Sequence, residues 1–414
     1  MKVNKVLVIY SCLEYPTRRT IWNNIYTFEH HGLKIFYVNL PFRYDLKLLS
    51  ALKFDIVIFH HSVTAPWNLS RFEKNTSRLK KRFKGIKIKA AFFQDEHYRS
   101  RFKCKFINDL GITHAFSVSP LTELNKIYDS VNLSKIKFFQ VLAGYINSND
   151  VKYVENKQRV ITKDIDIGYR TVAKNSYALG SFGYLKELVA DVFQDKAVQL
   201  QIKTDIKKGL DNMILDNKWY DFLLRCKYTV GAESGSSVLD KDGDIKKCVS
   251  EFIRNNPDAT FENVKKSCFK SLDRQINITA VSPRHLEACM TKTCQILVKG
   301  NYSGVLKPWI HYIPLKYDLS NIDKVLKIVK EDKLREDIVK KAYEDIVKSG
   351  KYSQKAFSDF VYKSLELESE NSWENFTETV AFYINKVFDV CTWVCAGIYS
   401  NVLIKLFRRI KCQT

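Results

Sequence analysis

The sequence predicts an α/β protein made of two doubly wound, parallel-sheet halves with helices at its carboxyl end. Three observations predict it. The 414 residues exceed what one core usually holds, and 45% apolar residues are enough to build two. Short, nearly continuous apolar runs alternate with helix-period segments, the pattern of strands covered on both faces by crossover helices. Between the halves lies a polar stretch without apolar period, NSNDVKYVENKQRVITKD, which reads as a linker.

The first half, residues 1 to 147, offers strands at Val6 to Tyr10, Lys34 to Leu40, Asp55 to His60, Ile88 to Phe93 and His114 to Ser117. Helical candidates between them include Thr20 to His30 and Glu123 to Tyr128. The linker takes residues 148 to 163, and the second half runs from 164 to 330. There, strands are expected at 165 to 169, 198 to 202, 227 to 232, 276 to 281, 294 to 298 and 310 to 315. Helices are expected at 184 to 194, 217 to 225, 244 to 255, 260 to 270 and 283 to 291. Helical patterns run from Ile322 through Leu365, giving carboxyl-terminal helices over 331 to 370, and an amphipathic tail takes residues 371 to 414. No repeat or low-complexity tract is present.

The formal net charge is +22. Residues 1 to 147 carry 24 Lys+Arg against 10 Asp+Glu, so +14 of the excess lies in the first half, notably in RLKKRFKGIKIK at 78 to 89. Such a run suits a nucleic acid, an anionic membrane surface or a pyrophosphate-linked acceptor, or is a solvated helix end. No nucleic-acid-binding signature accompanies it, and no nucleic acid is expected as partner. MKVNKVLVIYSC runs on as a strand with no small-residue cleavage site, so it is not read as a secretory signal. The ten cysteines show no zinc-type CxxC pair; Cys391 and Cys395 are read as buried thiols, and a reducing cytoplasm fits.

Chemistry is expected at the carboxyl ends of strands. Ser282 is a helix N-cap before Pro283 at the first helical position, which puts Arg284, His285 and Glu287 in the opening turns. Backbone N–H groups there suit a phosphate, Arg284 adds a planar cation, His285 can reach the same group, and Glu287 can accept both hydroxyls of a ribose. Arg170 ends the strand after Gly168, and Lys186 opens a helix behind Gly180 and Gly183; both can neutralise a diphosphate. Glu233, Ser234, Gly235 and Ser236 form a small, hydroxyl-rich loop suited to a sugar or base. In the first half, FFQDEHYR brings Asp95 and His97 to a strand end, and His61 follows another; each can act as general base toward a hydroxyl. Asp240, Asp242, Asp244 and Glu251 imitate a calcium loop, but Ile245 occupies the position that needs glycine. No metal is expected.

The SPRHLEA segment, together with DIGYR, LGSFGYLK and WYDFLLRCKYTVGAESGSSVLDKDGDI, resembles the bacterial GT-B glycosyltransferases described as family 1-like, whose second half carries a similar R-x-x-E-A segment. The resemblance covers residues 1 to 366 in outline and is most specific between Ile165 and Leu315. It implies two Rossmann-like domains facing a cleft, the second holding a nucleotide sugar through Glu287 and the first holding a glycan or lipid-linked acceptor. It implies transfer without a metal cofactor. Thr279 stands where retaining members of the wider superfamily often have a second glutamate, so the stereochemical outcome stays open. A non-catalytic nucleotide- or glycan-binding protein and a basic nucleic-acid-binding protein are the alternatives.

The tail has 15 uncharged residues between Asp389 and Lys405, short of the roughly 20 needed to cross a bilayer. A helix bearing Phe382, Phe388, Trp393, Tyr399 and Phe407, then Arg408, Arg409 and Lys411, suits either a membrane interface at residues 376 to 412 or packing on protein. The expected location is cytoplasmic, with peripheral attachment to the inner face of the membrane as one form of it.

Overall fold

The computed structural model describes residues 2–3, 5–15, 17–31, 33–42, 49, 52–64, 79–329, 331–369 and 376–411, and from residue 400 onward it describes the backbone alone. The first residue of the 78 to 89 basic run, the start of the tail at 371–375, its last three residues and the side chains of Phe407, Arg408, Arg409 and Lys411 lie outside the described part.

A two-residue strand β1 (Lys2–Val3) precedes the first sheet. That sheet has six strands, β2 (Lys5–Tyr10), β3 (Lys34–Asn39), β4 (Ile56–Phe59), β5 (Ile88–Phe93), β6 (His114–Ser117) and β7 (Lys137–Gln140). They pair in parallel in the order β3-β2-β4-β5-β6-β7. Leu7, Ile9, Val57 and Phe59 pack into one core cluster while Val6, Val8, Ile56 and Ile58 pack into another. Successive strand residues point to opposite faces, so an unbroken apolar run means that both faces are covered.

The second sheet has β8 (Ile165–Thr171), β9 (Thr204–Lys208), β10 (Cys226–Gly231), β13 (Cys294–Val298) and β14 (Ile313–Leu315), all parallel in the order β14-β13-β10-β8-β9. In both sheets the first strand lies between the second and third. The strand order therefore reverses between β2 and β4 and again between β8 and β10, and a crevice for ligands opens at each reversal. This is the pair of Rossmann-like sheets that the GT-B resemblance implies.

Several elements differ from expectation, the first of them because sheet edges are weakly buried. The strand expected at 198 to 202 is instead β9 at 204–208, and the preceding helix runs from Ser181 through Gln199. Val198 is 77% exposed, and within β9 only Ile206 is buried. The opposite edge strand of the first sheet, β7, has no buried residue. The segment Ser234–Ser236 is strand β11, antiparallel to β12 (Ile278–Ala280), outside the main sheet. Gly235 sits at φ +133°, where a Cβ would lie 1.8 Å from the Ile278 carbonyl oxygen. Residues 148 to 158 of the expected linker form a helix capped by Asn147, whose side chain accepts from the Asn149 and Asp150 N–H groups.

Cys248 and Cys268 form a disulfide between the Asp244–Asn255 and Phe261–Cys268 helices, with Cα atoms 5.7 Å apart. Cys391 is exposed and Cys395 half-buried, so neither is the buried thiol expected.

After the second sheet the chain returns to the first. Phe357, Val361 and Tyr362 of the Gln354–Ser364 helix pack into the first sheet's core, β15 (Glu368–Ser369) pairs with β1, and a helix of 36 residues, Phe376–Lys411, lies along the edge strand β3. Asn385 closes that edge: its Oδ1 accepts from the Tyr37 N–H at 2.8 Å and its Nδ2 donates to the Tyr37 carbonyl at 2.8 Å. Asp389 accepts from the Tyr10 and Tyr26 hydroxyls at 2.6 and 2.5 Å, and Trp393 stacks on Tyr10. Asn385→Leu should leave both Tyr37 backbone groups unpaired and lower unfolding stability by about 2 kcal/mol. A urea midpoint equal to that of the parent chain would show that the helix does not dock there.

Candidate functional site

A solvent-open cleft of about 790 Å³ lies between the loop after β2 and the carboxyl ends of the second sheet, with Arg18, Arg170, Asp216, Trp219, Ser282, Arg284 and Glu287 among its walls. Two of its walls are joined by one carboxylate. Asp150, buried in the first turn of the 148–158 helix, accepts from Arg19 Nε at 2.9 Å, Asn23 Nδ2 at 2.7 Å and the Tyr220 hydroxyl at 3.0 Å. Arg19 and Asn23 belong to the first half, and Tyr220 to the Asn217–Arg225 helix of the second.

That helix places Trp219, whose indole Nε1–H donates to Glu287 Oε2 at 2.7 Å. Glu287 is half-buried in the cleft wall. Burial pushes its carboxyl up to about 7, against the pull of the Trp219 hydrogen bond and of Arg284. Arg284 donates from Nη1 to the Arg170 carbonyl at 2.7 Å and lies 5.3 Å from the Trp219 ring centre. Ser282 caps the Pro283–Met290 helix, so the Ser282, Arg284 and Glu287 side chains share one helix start.

Three cations face one another here. Arg18 comes from the loop after β2 and has a weak acceptor, the Met213 sulfur at 3.2 Å. Its guanidinium pKa is lowered, first by the protein crowded around it and then by Arg284. Lys186 is held down to about 8, first by burial and then by Arg284, with Asp95 opposing. Among the described residues no acceptor bonds the Lys186 ammonium. Like charges gathered with no carboxylate hydrogen-bonded to them among the described residues, and with Asp95 acting on them only at longer range, are what an anion site presents.

From the first half, Asp95 stands at the end of β5 with φ +48°, a left-handed conformation that aspartate tolerates better than most residues. It is exposed, and among the described residues nothing hydrogen-bonds its carboxylate. The same carboxylate raises the pKa of Arg18, His61, His97 and Lys186, which places it within electrostatic reach of all four. Burial holds His61 and His97 down to about 4, so both imidazoles are neutral at pH 7 and accept a proton weakly. The neighbouring Glu96 turns the other way and is buried under bonds from Ser117, Tyr128 and Ser119 at 2.6 to 3.0 Å.

Other expected residues are engaged elsewhere. The Arg170 guanidinium pairs with Asp205 at 2.9 Å and lies 4.2 Å from the Phe222 ring centre, so its charge serves the fold and only its carbonyl meets Arg284. Glu233 accepts from the Tyr302 N–H at 2.6 Å and anchors the 300–302 turn. Ser234 and Gly235 lie in β11, and the fully buried Ser236 donates to the Val238 carbonyl at 2.7 Å; none of these three lines the cleft. His285 accepts from the Ser282 N–H at 3.1 Å in a capping box and packs edge-to-face on Tyr302, which removes it from the phosphate position. Asp240 caps the Asp244–Asn255 helix through the Gly243 and Lys246 N–H groups, and Asp242 pairs with Arg101. Sequence reasoning missed Arg18 and Trp219. The signal for Arg18 was present, a basic pair directly after the first long strand.

Because the Glu287 carboxyl binds its proton more tightly in the folded chain, its contribution to stability is complete below about 4.5 and is lost as pH rises through about 7. Glu287→Gln should flatten that part of the stability profile in urea unfolding between these pH values. An unchanged slope would show that Glu287 is not the titrating group.

No protein-family model matches the chain. Over 43 residues the sequence is 46% identical to Protein O-glucosyltransferase 1 of Mus musculus; the match covers 10% of this chain and 11% of that protein. Solved structures with a similar course include HepE of Anabaena with UDP-glucose, at 8% identity over 87% of this chain and 99% of that one, TM-score 0.46. An alpha-glucosyltransferase with UDP-glucose and DNA containing an abasic site is 11% identical over 88% of this chain and 99% of that one, TM-score 0.47. TarM is 13% identical over 75% of this chain and 54% of that one, TM-score 0.41. With scores below 0.5, the fold assignment rests on the strand orders above.

Proposed function

We propose that this chain is a glycosyltransferase that moves a sugar from a nucleoside diphosphate sugar to a hydroxyl of a glycan or lipid-linked glycan precursor. The observation that carries the reading is the cleft in which Glu287 and Arg284, on one helix start, face Arg18 across the gap with Lys186 in range. Glu287 accepts the ribose hydroxyls. Arg18, Arg284, Lys186 and the helix N–H groups hold the diphosphate. The acceptor oxygen forms its bond to the anomeric carbon as the bond from that carbon to the β-phosphate oxygen breaks, and the charge left on the nucleoside diphosphate is taken up by the three cations. Asp95 receives the hydroxyl proton. His97 and His61 are the second choices, weakened as bases by their burial. The family 1-like resemblance, a cytoplasmic site of action and transfer without metal belong to the same proposal.

Binding of nucleoside diphosphates and their sugars, measured by calorimetry, tests the donor site. Glu287→Ala should weaken it by about 2 kcal/mol in a folded chain, and unchanged affinity would remove Glu287 from the site. Asp95→Asn should keep donor affinity and lower kcat by roughly 10²; near-parental turnover would move the proton to an imidazole. Turnover should survive EDTA, because guanidinium and ammonium groups carry the leaving-group charge. Loss restored by Mn²⁺ or Mg²⁺ would overturn that part. Donor binding with no turnover on any glycan acceptor would favour a binding protein over an enzyme.

A further inference from the structure

The Phe376–Lys411 helix is amphipathic in the reverse sense for a helix docked on a soluble protein. Its inward face carries Glu378, Asn385, Asp389 and Thr392, all buried and hydrogen-bonded to the first half, Glu378 through Lys5 at 2.7 Å. Trp393 faces the protein as well, only 4% exposed, whereas Tyr383 and Tyr399 are 62 and 41% exposed. Four aliphatic residues also face outward: Val387, Val390, Val394 and Ile398 are 64, 63, 59 and 60% exposed. Spacings of three and four residues set these four in one stripe. Solvent gives no reason for such a stripe, and a contiguous exposed apolar surface marks a contact with something apolar.

The segment Glu378–Tyr399 has the length and mean hydropathy of a membrane span, 22 residues at 1.2. Yet a third of its window is buried against the protein, and its Asp389 is held by two tyrosines, so the helix is fastened along β3 and does not cross. The charge decides between a bilayer and a second copy. The stripe sits on the half that carries +14, and the same helix continues into Lys405, Arg408, Arg409 and Lys411. Pairing two copies through this face would bring two strongly basic halves together, whereas an anionic surface complements them.

We propose that the Val387, Val390, Val394 and Ile398 stripe lies in the interface of an anionic lipid bilayer, with the helix parallel to the surface. The proposal does not depend on the enzymatic reading.

The test is flotation of the full chain with vesicles of phosphatidylcholine alone and of phosphatidylcholine with phosphatidylglycerol, at low and high salt. Binding should need the anionic lipid and weaken with salt. Val390→Asp/Val394→Asp should reduce it on the order of tenfold or more, with an unchanged unfolding midpoint and unchanged nucleoside diphosphate affinity, because both side chains point away from the protein. If that pair unfolds the chain, Val390→Ser/Val394→Ser carries the same expectation with a smaller loss. Equal vesicle binding by a folded variant would overturn the proposal. So would a lipid-free dimer in sedimentation velocity that the substitutions abolish, which would assign the face to a second copy.

Discussion

The Asp150 carboxylate is the constraint on which the cleft depends. It is buried, and it draws its three hydrogen bonds from both sides of the molecule, Arg19 and Asn23 on one and Tyr220 on the other. A buried carboxylate is costly unless fully partnered, so these donors must meet at one point or the charge stays uncompensated. That requirement fixes the loop bearing Arg18 relative to the helix bearing Trp219. Trp219 in turn fixes Glu287. The separation of the cationic loop from the Glu287 carboxylate is therefore set by a group that touches neither.

Around this frame the cations divide by role. Arg170, Arg19 and Arg101 have carboxylate partners and hold the fold. Arg284 lowers the pKa of both Arg18 and Lys186, and the three have only carbonyl or sulfur acceptors, or none, among the described residues. Keeping three cations close costs free energy in the unliganded chain, and a diphosphate would offset that cost. The first group is matched by carboxylates of the chain; the second is the group that the proposed donor diphosphate would match.

The long final helix solves a different problem. Edge strand β3 would present unpaired backbone groups to other chains, and Asn385 occupies them by mimicking a neighbouring strand at Tyr37. Because that docking uses amide, carboxylate and indole groups, the aliphatic residues of the helix are left on the outside. The inversion is thus tied to how the edge is closed.

From the sequence alone, the two-sheet α/β architecture could be read, as could the bounds of β5, β6 and β13 and of the helices at Asn217–Arg225 and Asp244–Asn255, because unbroken apolar runs, helical period and caps are local properties. Ser282, Arg284 and Glu287 were readable as a group for the same reason, since one helix start brings them together whatever surrounds it. Edge strands β7 and β9 were not, because few of their residues meet a core. Nor was the commitment of Arg170 to Asp205 or of Glu233 to Tyr302, since a cation or carboxylate looks alike in a sequence whether it faces a ligand or a partner distant in the chain. Only the tertiary structure brought Arg18 opposite Arg284, residues 266 positions apart by their numbers, and turned the polar face of the last helix inward. Both depend on long-range hydrogen bonds that no local pattern encodes.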